Sequence, residues 1–398
     1  MIIMPKEFHV TGTCIPDKHY MVNTSEKIQK IITDYIQVGS YFTINRARQY
    51  GKTTTLYLLE TALKNDYIVL SLSFESADEL FVSLYTFAAG LVRKIYRLLK
   101  RKNMAPSVLE NWNSPISKDF PFDDLSDRIS ELCESCDKNI VLMIDEVDKS
   151  SDNQIFLLFL GLLREKFLEQ QKGNDVTFYS VILAGVYDIK NLKLKLHPNT
   201  ESKNNSPWNI AVDFLVDMSF SQKDIACMLK DYESDYHTNM DIYAISQLIY
   251  DYTSGYPYLV SRICQLIDTR VAGTVPYPEK YDAWTKDGFL EAIRILLKET
   301  NSLFDDMVKH LYEYPKLNAM LQNILFRGTR YTFEANSQII NLGMMFGFLK
   351  EQQNTVVVAN RIFETKMYNF FLSEEESNGS ISFTGDTEHV KNQFVAHR

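Results

Sequence analysis

Four short apolar segments, separated by stretches with helical periodicity, constrain the fold of this chain most strongly. Each is rich in β-forming residues and too short for a buried helix. The segments are YFTIN (Tyr41–Asn45), YIVLSLSF (Tyr67–Phe74), NIVLMID (Asn139–Asp145) and YSVILAG (Tyr179–Gly185). Strands joined by helical crossovers of a dozen or more residues form parallel sheets. We therefore predict a doubly wound α/β sheet with helices on both faces, over residues 1–220.

The segments outside these strands complete the predicted architecture. The alternating segment NIAVDFLVDMSF (Asn209–Phe220) is predicted to be the edge strand, and the polar stretch Lys195–Pro207 before it a surface loop. Helical patterns predict a helical subdomain over residues 221–270. Residues 283–372 are predicted to form a winged-helix domain whose hairpin turns at QQN. The polar tail, residues 374–398, is expected to be unstructured.

Composition and charge exclude several classes of protein. With 398 residues, 45% of them hydrophobic, the chain is long enough for two or three globular domains. The net charge of -9 repels a phosphate backbone and gives no support to DNA binding. MIIMPKEFHV lacks the basic region of a secretory signal, and the apolar run Ile155–Leu163 has about half the length that crosses a bilayer. We therefore expect a cytoplasmic protein without a membrane partner.

The segment RARQYGKTTTL carries part of a phosphate-binding motif. A Walker A motif reads G-x-x-x-x-G-K-[ST]; Gly51, Lys52 and Thr53 fill its second half, but Arg46 stands in place of the first glycine. In such a loop, backbone N–H groups and a helix N-terminus bind the anion, lysine supplies a charge and the hydroxyl binds Mg²⁺. A partial match also arises by chance, so the loop alone leaves the assignment open. If it is a phosphate loop, Lys52 should be reached by solvent.

The segment NIVLMIDEVD favours the nucleotide-binding interpretation. Asp145, at the end of a strand, is placed to hold Mg²⁺ beside Thr53, and Glu146 to polarise the attacking water. The alternative is an acidic surface turn, which the large aliphatic residues before the pair disfavour. The strand Tyr179–Gly185 follows the carboxylates. This order is typical of P-loop ATPases in which a further strand separates the Walker A and Walker B strands.

These motifs resemble those of the STAND-like branch of AAA-type P-loop ATPases, which have an AAA-ATPase-like domain. That family also replaces the first glycine and has Arg-Gln before Gly-Lys-Thr, and the resemblance extends from KHYMVNTSEKI to VANRIFETKMYNFFL. It implies binding of ATP or ADP with Mg²⁺. The residues it assigns to the nucleotide are Arg48, Gln49, Tyr50, Gly51, Lys52, Thr53 and Thr54.

Two further elements have implied roles. The resemblance places Gly255, Tyr256 and Pro257 near the adenine, although a helix break at the proline explains the same residues. It also implies that Tyr20 stacks on the base. An arginine finger cannot be assigned among the four candidates, Arg48, Arg164, Arg262 and Arg361.

The chain departs from the family in two places. LAGVYD, at the end of the strand Tyr179–Gly185, offers no Asn, Ser or Thr as a polar sensor. Many relatives carry a PD-(D/E)XK nuclease domain. Here Glu364–Lys366 satisfies E-x-K, but no Asp lies between Met307 and Phe363, and we predict no nuclease.

Two functions are consistent with these observations. The first is an ATP-hydrolysing molecular switch, in which nucleotide binds between the sheet and the helical subdomain. The second is a non-hydrolysing nucleotide-binding adaptor that acts through its winged helix on a protein or DNA partner. The segment Leu303–Leu372 has 4 Lys and 3 Arg against 2 Asp and 4 Glu. This balance favours a protein partner.

Overall fold

The computed structural model describes residues 6–150, 154–186 and 207–377. The chain forms two compact units. Unit 1 comprises Met1–Leu296 with Met344–Gly347, and unit 2 comprises Leu297–Gly343 with Phe348–Arg398. The predicted loop Lys195–Pro207, apart from its last residue, and the predicted tail beyond residue 377 lie outside the described residues.

Unit 1 is built on a four-stranded parallel sheet. Its strands are β3 (Tyr41–Asn45), β4 (Ile68–Ser73), β5 (Ile140–Asp145) and β6 (Ser180–Gly185), after a short parallel pair, β1 (Glu7–Phe8) and β2 (His19–Tyr20). The order across the sheet is β3-β6-β5-β4. This confirms the four predicted strands and the prediction that one strand separates the strand before the phosphate loop from the strand before the acidic pair. All residues of β5 and β6 are buried, as expected for central parallel strands.

Helices cover both faces of this sheet, as the sequence predicted. They are α1 (Ser25–Ile31), α2 (Lys52–Leu63), α3 (Leu84–Arg101), α4 (Pro106–Asn113), α5 (Pro121–Glu134) and α6 (Gln154–Gln171). Because neighbouring strand residues point to opposite faces, Leu142 belongs to the hydrophobic core with α3 to α6, whereas Val141 belongs to the core with α1 and α2. The sheet therefore holds the carboxyl ends of its strands rigidly between two cores.

The predicted edge strand is wrong in part. Of Asn209–Phe220, only Val212 forms a β-bridge, with Phe42 of β3. Side chains take the place of strand pairing further along. The Tyr35 hydroxyl donates to the carbonyl of Asp213 at 3.2 Å and accepts from the N–H of Leu215 at 2.9 Å. Burial alternates along the segment as in a strand, but several of its backbone groups form hydrogen bonds with side chains instead of with a neighbouring strand. The alternation of the sequence cannot show this difference.

Further helices of unit 1 are α7 (Gln222–Tyr236), α8 (Ile242–Thr253), α9 (Pro257–Leu266), α10 (Lys280–Ala283) and α11 (Lys286–Lys298), whose last two residues belong to unit 2. The buried ring of Trp284 lies 4.8 Å from Tyr232 and 5.8 Å from Phe8. Phe289 packs against Tyr252 in the same way, at 5.2 Å. These aromatic contacts explain why unit 2 begins at Leu297, whereas the sequence suggested a domain from residue 283.

Unit 2 contains helices and a three-stranded antiparallel sheet. Its helices are α12 (Ser302–Glu313), α13 (Pro315–Arg327), α14 (Gln338–Met345) and α15 (Arg361–Ser377), and the last residues of α14 belong to unit 1. Its strands are β7 (Tyr331–Thr332), β8 (Leu349–Gln352) and β9 (Thr355–Val358), which lie in the order β7-β9-β8. The predicted hairpin is confirmed: Gln353 and Asn354 turn it with φ of 52° and 61°. Among the described residues, no helix is long and apolar enough to cross a membrane.

Candidate nucleotide site

The predicted phosphate loop lies between β3 and α2, at the carboxyl edge of the sheet, where β3, β5 and β6 end. Gly51 precedes the first residue of α2 and has φ +80°, in the left-handed region that favours glycine. An added Cβ there would have nothing within 4 Å, so backbone conformation alone requires the glycine. The loop thus turns into a helix N-terminus, whose unpaired N–H groups are suited to an anion.

Lys52, the first residue of α2, is buried, which corrects the expectation that solvent reaches it. Its ammonium donates to the carbonyls of Arg46 at 2.9 Å and Ala47 at 3.0 Å. Burial lowers the pKa of Lys52, whereas the nearby charges of Asp148, Glu146 and Asp145 raise it. The loop folds over its own lysine because the two carbonyls accept hydrogen bonds from the ammonium. The Walker A motif does not predict these hydrogen bonds.

Thr53 and Asp145 meet as the sequence predicted. The Thr53 hydroxyl donates to the Asp145 carboxylate at 2.7 Å, and that carboxylate is 8% exposed. Its other oxygen accepts from the backbone N–H of Glu146 at 2.9 Å. A hydroxyl and a carboxylate side by side are hard oxygen donors that suit Mg²⁺, which retains water molecules as its remaining ligands. The residues present therefore fit the predicted metal.

Glu146 follows Asp145 at the point where the chain leaves β5. Its φ is +57°, a conformation that is uncommon for a residue other than glycine. Strained backbone of this kind clusters at functional sites, where the surrounding structure holds it in place. Asp145 is buried and Glu146 is half-buried, so the two adjacent residues lie in different environments.

Arg46, in place of the first Walker A glycine, is bound to the edge segment. Its guanidinium donates to the carbonyl of Val216 at 2.8 Å and to that of Asn45 at 2.9 Å, and lies 5.2 Å from the ring centre of Phe214. Burial lowers the pKa of Arg46. The arginine replaces part of the missing strand pairing, so its presence is a structural adaptation of the loop.

The predicted element Gly255–Pro257 contacts the phosphate loop from the helical part of unit 1. The Tyr256 hydroxyl donates to the carbonyl of Arg48, and its ring lies edge-on to Tyr50 at 4.7 Å. Gly255 has φ +73°, and a Cβ there would lie 1.9 Å from the carbonyl oxygen of Phe220. Pro257 is the first residue of α9. The helix break is observed, and the element lies beside the loop, while its predicted position near adenine stays a prediction.

Tyr20 has surroundings that differ from those of a base-stacking residue. It is 1% exposed, its ring contacts Phe8 at 5.1 Å and Tyr232 at 5.2 Å, and its hydroxyl donates to Asp235 at 2.6 Å. Its ring is buried among aromatic neighbours, and Tyr232 among them is distant in sequence, which a local motif cannot show. In this structure Tyr20 anchors the N-terminal segment to α7, and we correct its predicted role accordingly.

The remaining predicted residues surround the loop. The Thr54 hydroxyl accepts from the backbone N–H of Cys14 at 3.1 Å, which ties α2 to the N-terminal segment. Gln49 has φ +56° and shapes the turn before Tyr50 and Gly51. Arg48 contributes its carbonyl to the contact with Tyr256.

The sequence interpretation missed Asp148. Its carboxylate accepts from the backbone N–H of Val186 at 2.6 Å, at the end of β6. The signal was present, since DEVD carries a third carboxylate and LAG ends in a residue without a side chain. Nothing in the sequence, however, shows that the two lie together.

Comparison with known proteins gives a family and a similar fold. The family model described as "AAA-like domain" matches residues 11–369. The Walker-type ATPase of Pyrococcus abyssi is 14% identical, with a TM-score of 0.56 over 91% of this chain and 99% of that chain. The Aeropyrum pernix ORC2 protein, in its ADPNP-ADP complexes, is 11% identical, with a TM-score of 0.44 over 92% and 97%. The Thermotoga maritima RuvB Holliday junction branch migration motor is 12% identical, with a TM-score of 0.42 over 90% and 98%. No curated protein matches significantly.

Proposed function

Since the chain belongs to the AAA-like domain family, we propose that it binds ATP with Mg²⁺ at the carboxyl edge of unit 1 and hydrolyses it. The observation that carries this proposal is the hydrogen bond of 2.7 Å between Thr53 and Asp145, which joins the loop to the acidic pair across the intervening strand β6. Burying a hydroxyl and a carboxylate costs free energy, so a sheet with a purely structural role would not require this contact between α2 and β5.

Each residue has a task in this proposal. Lys52 leaves the loop carbonyls to bind phosphate oxygens, and the N–H groups at the start of α2 bind the same oxygens. Thr53 and Asp145 hold Mg²⁺, which when bound neutralises the charge of the phosphates. Glu146 orients the attacking water and accepts its proton.

We further propose that Tyr256 makes the site a switch. Its hydroxyl contacts the loop at Arg48, and one residue later the chain enters α9, so a loop that rearranges around phosphate displaces this helix start. The nucleotide can shift the equilibrium between two positions of the helical part only by as much as its affinity differs between them. A cytoplasmic location and a protein partner for unit 2 belong to the same proposal.

The experiment is an assay of purified protein for retained nucleotide and for phosphate release, with Mg²⁺, with EDTA, and with or without DNA. We expect nucleotide retention and Mg²⁺-dependent phosphate release that DNA does not stimulate. Absence of nucleotide binding in the presence of Mg²⁺ would contradict the proposal, and stimulation by DNA would contradict the choice of a protein partner.

The adaptor remains the second candidate because of one observation. β6 ends in Gly185, followed by the apolar Val186, so no polar side chain of that strand faces the phosphate loop. Binding of ATP without any phosphate release by the wild-type protein would favour the adaptor.

A further inference from the structure

The carboxyl end of β6 is covered by a carboxylate from the neighbouring strand end. The Asp148 carboxylate lies so close over Gly185 that a Cβ there would be 2.0 Å from its oxygen and 2.9 Å from the Val147 side chain. The same oxygen accepts from the backbone N–H of Val186 at 2.6 Å. Glycine at position 185 is therefore what admits Asp148.

The backbone after β5 delivers this carboxylate. Glu146, with φ +57°, turns the chain out of the strand, and residues Val147–Ser150 form a short 3-10 turn. Val147, fully buried, anchors that turn in the core formed with α3 to α6. Asp148 is thereby directed back across β6, toward the phosphate loop.

The position of Asp148 links it to Lys52. Gly185 pairs with Asn45 in the sheet, and its carbonyl accepts from the N–H of Arg46 at 3.1 Å. The carbonyl of Arg46 in turn accepts from the Lys52 ammonium at 2.9 Å. The carboxylate and the ammonium thus lie over the same pair of adjacent strand ends.

The electrostatics agree with that placement. Among the charges around Lys52, that of Asp148 has the largest effect on the lysine pKa. Burial raises the pKa of Asp148, and the charge of Lys52 lowers it. Each group therefore reduces the cost of burying the other.

We propose that Asp148 is a positioning residue that acts through Lys52 and makes the site discriminate between ATP and ADP. Its charge holds the ammonium on the β6 side. A γ-phosphate withdraws Lys52 from this position and leaves Asp148 facing a second negative charge, whereas ADP brings no γ-phosphate. Asp148, which follows β5, thus performs the task of the polar sensor residue that is absent from the end of β6. This inference rests on the proposed nucleotide site.

The test is a pair of equilibrium titrations, with Mg-ADPNP and with Mg-ADP, on the wild type and on Asp148→Asn. Asparagine retains an oxygen for the N–H of Val186 but removes the charge. Two charges several ångströms apart at an effective dielectric constant of about 20 interact strongly enough that we expect ADPNP to bind about 10-fold more tightly to the variant. ADP affinity should stay within about 2-fold, on the same reasoning.

Two further variants make the result specific. Gly185→Ala leaves every charge in place but displaces the carboxylate, and we expect it to shift the ADPNP-to-ADP affinity ratio in the same direction. Asp137→Asn makes the same charge change in an exposed residue just before the opposite end of β5, and should leave the ratio unchanged.

An unchanged ratio in both Asp148→Asn and Gly185→Ala would overturn the inference and leave Asp148 as a cap for Val186. Because the readout is binding, a wild type that binds nucleotide but releases no phosphate removes the hydrolytic part of the proposed function and still lets the ratio decide on Asp148. A wild type that binds neither nucleotide overturns both.

Discussion

Two buried lysines of unit 1 have opposite surroundings. Lys166, in α6, is 3% exposed and donates to the Asp175 carboxylate at 2.6 Å and to the Ser130 hydroxyl at 2.6 Å. Lys52, at the carboxyl edge, donates to two carbonyls of its own loop, and the charges of three nearby carboxylates raise its pKa while burial lowers it. The ammonium of Lys166 forms an ion pair, whereas the ammonium of Lys52 bonds to carbonyls, and we propose that a phosphate binds there.

On the proposed function, this difference distinguishes a structural charge from one that binds nucleotide. A buried ion pair with additional hydrogen bonds offsets most of its own desolvation cost, so removal of one partner mainly affects folding. Although burial raises the pKa of Asp175, the hydrogen bonds from Lys166 and Ser130 lower it overall, as expected for a satisfied pair. A buried ammonium that bonds only to carbonyls keeps its charge available for an anion. The comparison therefore predicts opposite phenotypes for the two lysines.

The largest effect is expected for Lys52→Ala. The variant should lose affinity for Mg-ATP on the order of 10³-fold, because a charge-assisted contact with the phosphates is removed from a buried site. Isothermal titration gives the affinity, and thermal unfolding shows that the fold persists. Lys64→Ala, exposed just after the same helix, should bind normally. Equal affinities in the two variants would contradict the site.

Lys166→Ala should show the reverse. Loss of the ammonium removes the ion pair with Asp175 and leaves that carboxylate only its other hydrogen bonds, such as the one from Ser130, so we expect a loss of about 3 kcal/mol in the free energy of unfolding. Nucleotide affinity of the folded variant should equal that of the wild type. Denaturant unfolding and titration, performed on the same sample, measure both. A stable variant with impaired nucleotide binding would reverse the comparison.

Gly255→Ala tests the close approach of Gly255 to Phe220, which lies shortly before α7 in the chain. A Cβ would lie 1.9 Å from the Phe220 carbonyl oxygen in a residue with φ +73°, so we expect a loss of about 2 to 3 kcal/mol. The control is Gly273→Ala, which has φ +84° but nothing within 4 Å of an added Cβ. It should lose only about 1 kcal/mol, the cost of the left-handed backbone. Equal losses would show that the close approach to Phe220 has no effect.

The smallest effect is expected in unit 2. Asn360, 5% exposed, accepts from the backbone N–H of Phe363 at the start of α15. Asn360→Ala should reduce the free energy of unfolding by about 1 kcal/mol, as loss of a helix cap does, and leave nucleotide affinity unchanged. Gln352→Ala, an exposed residue at the hairpin, is the control for stability. Reduced ATP affinity in Asn360→Ala would place part of the site outside unit 1.

The sequence predicted the elements whose signals are local. Buried parallel strands have continuous apolar runs, a phosphate loop needs Gly51 before a helix, and the hairpin of unit 2 has polar turn residues. Residues whose roles depend on tertiary contacts could not be predicted in this way. Arg46 binds the carbonyl of Val216, and Asp148 crosses to Val186, over separations of 170 and 38 residues. Tyr20 was misassigned for the same reason, because its partners lie in α7.

The most direct test of the central claim, that Asp145 and Glu146 perform different tasks at one ATP site, is a comparison of the wild type with Glu146→Gln in two assays. Glutamine keeps the shape of the residue and leaves Thr53 and Asp145 to bind Mg²⁺, but it cannot accept the proton of the attacking water. We expect Mg-ATP affinity within about 3-fold of the wild type and phosphate release slower by about 10² to 10⁴. Unchanged phosphate release in Glu146→Gln would contradict the account.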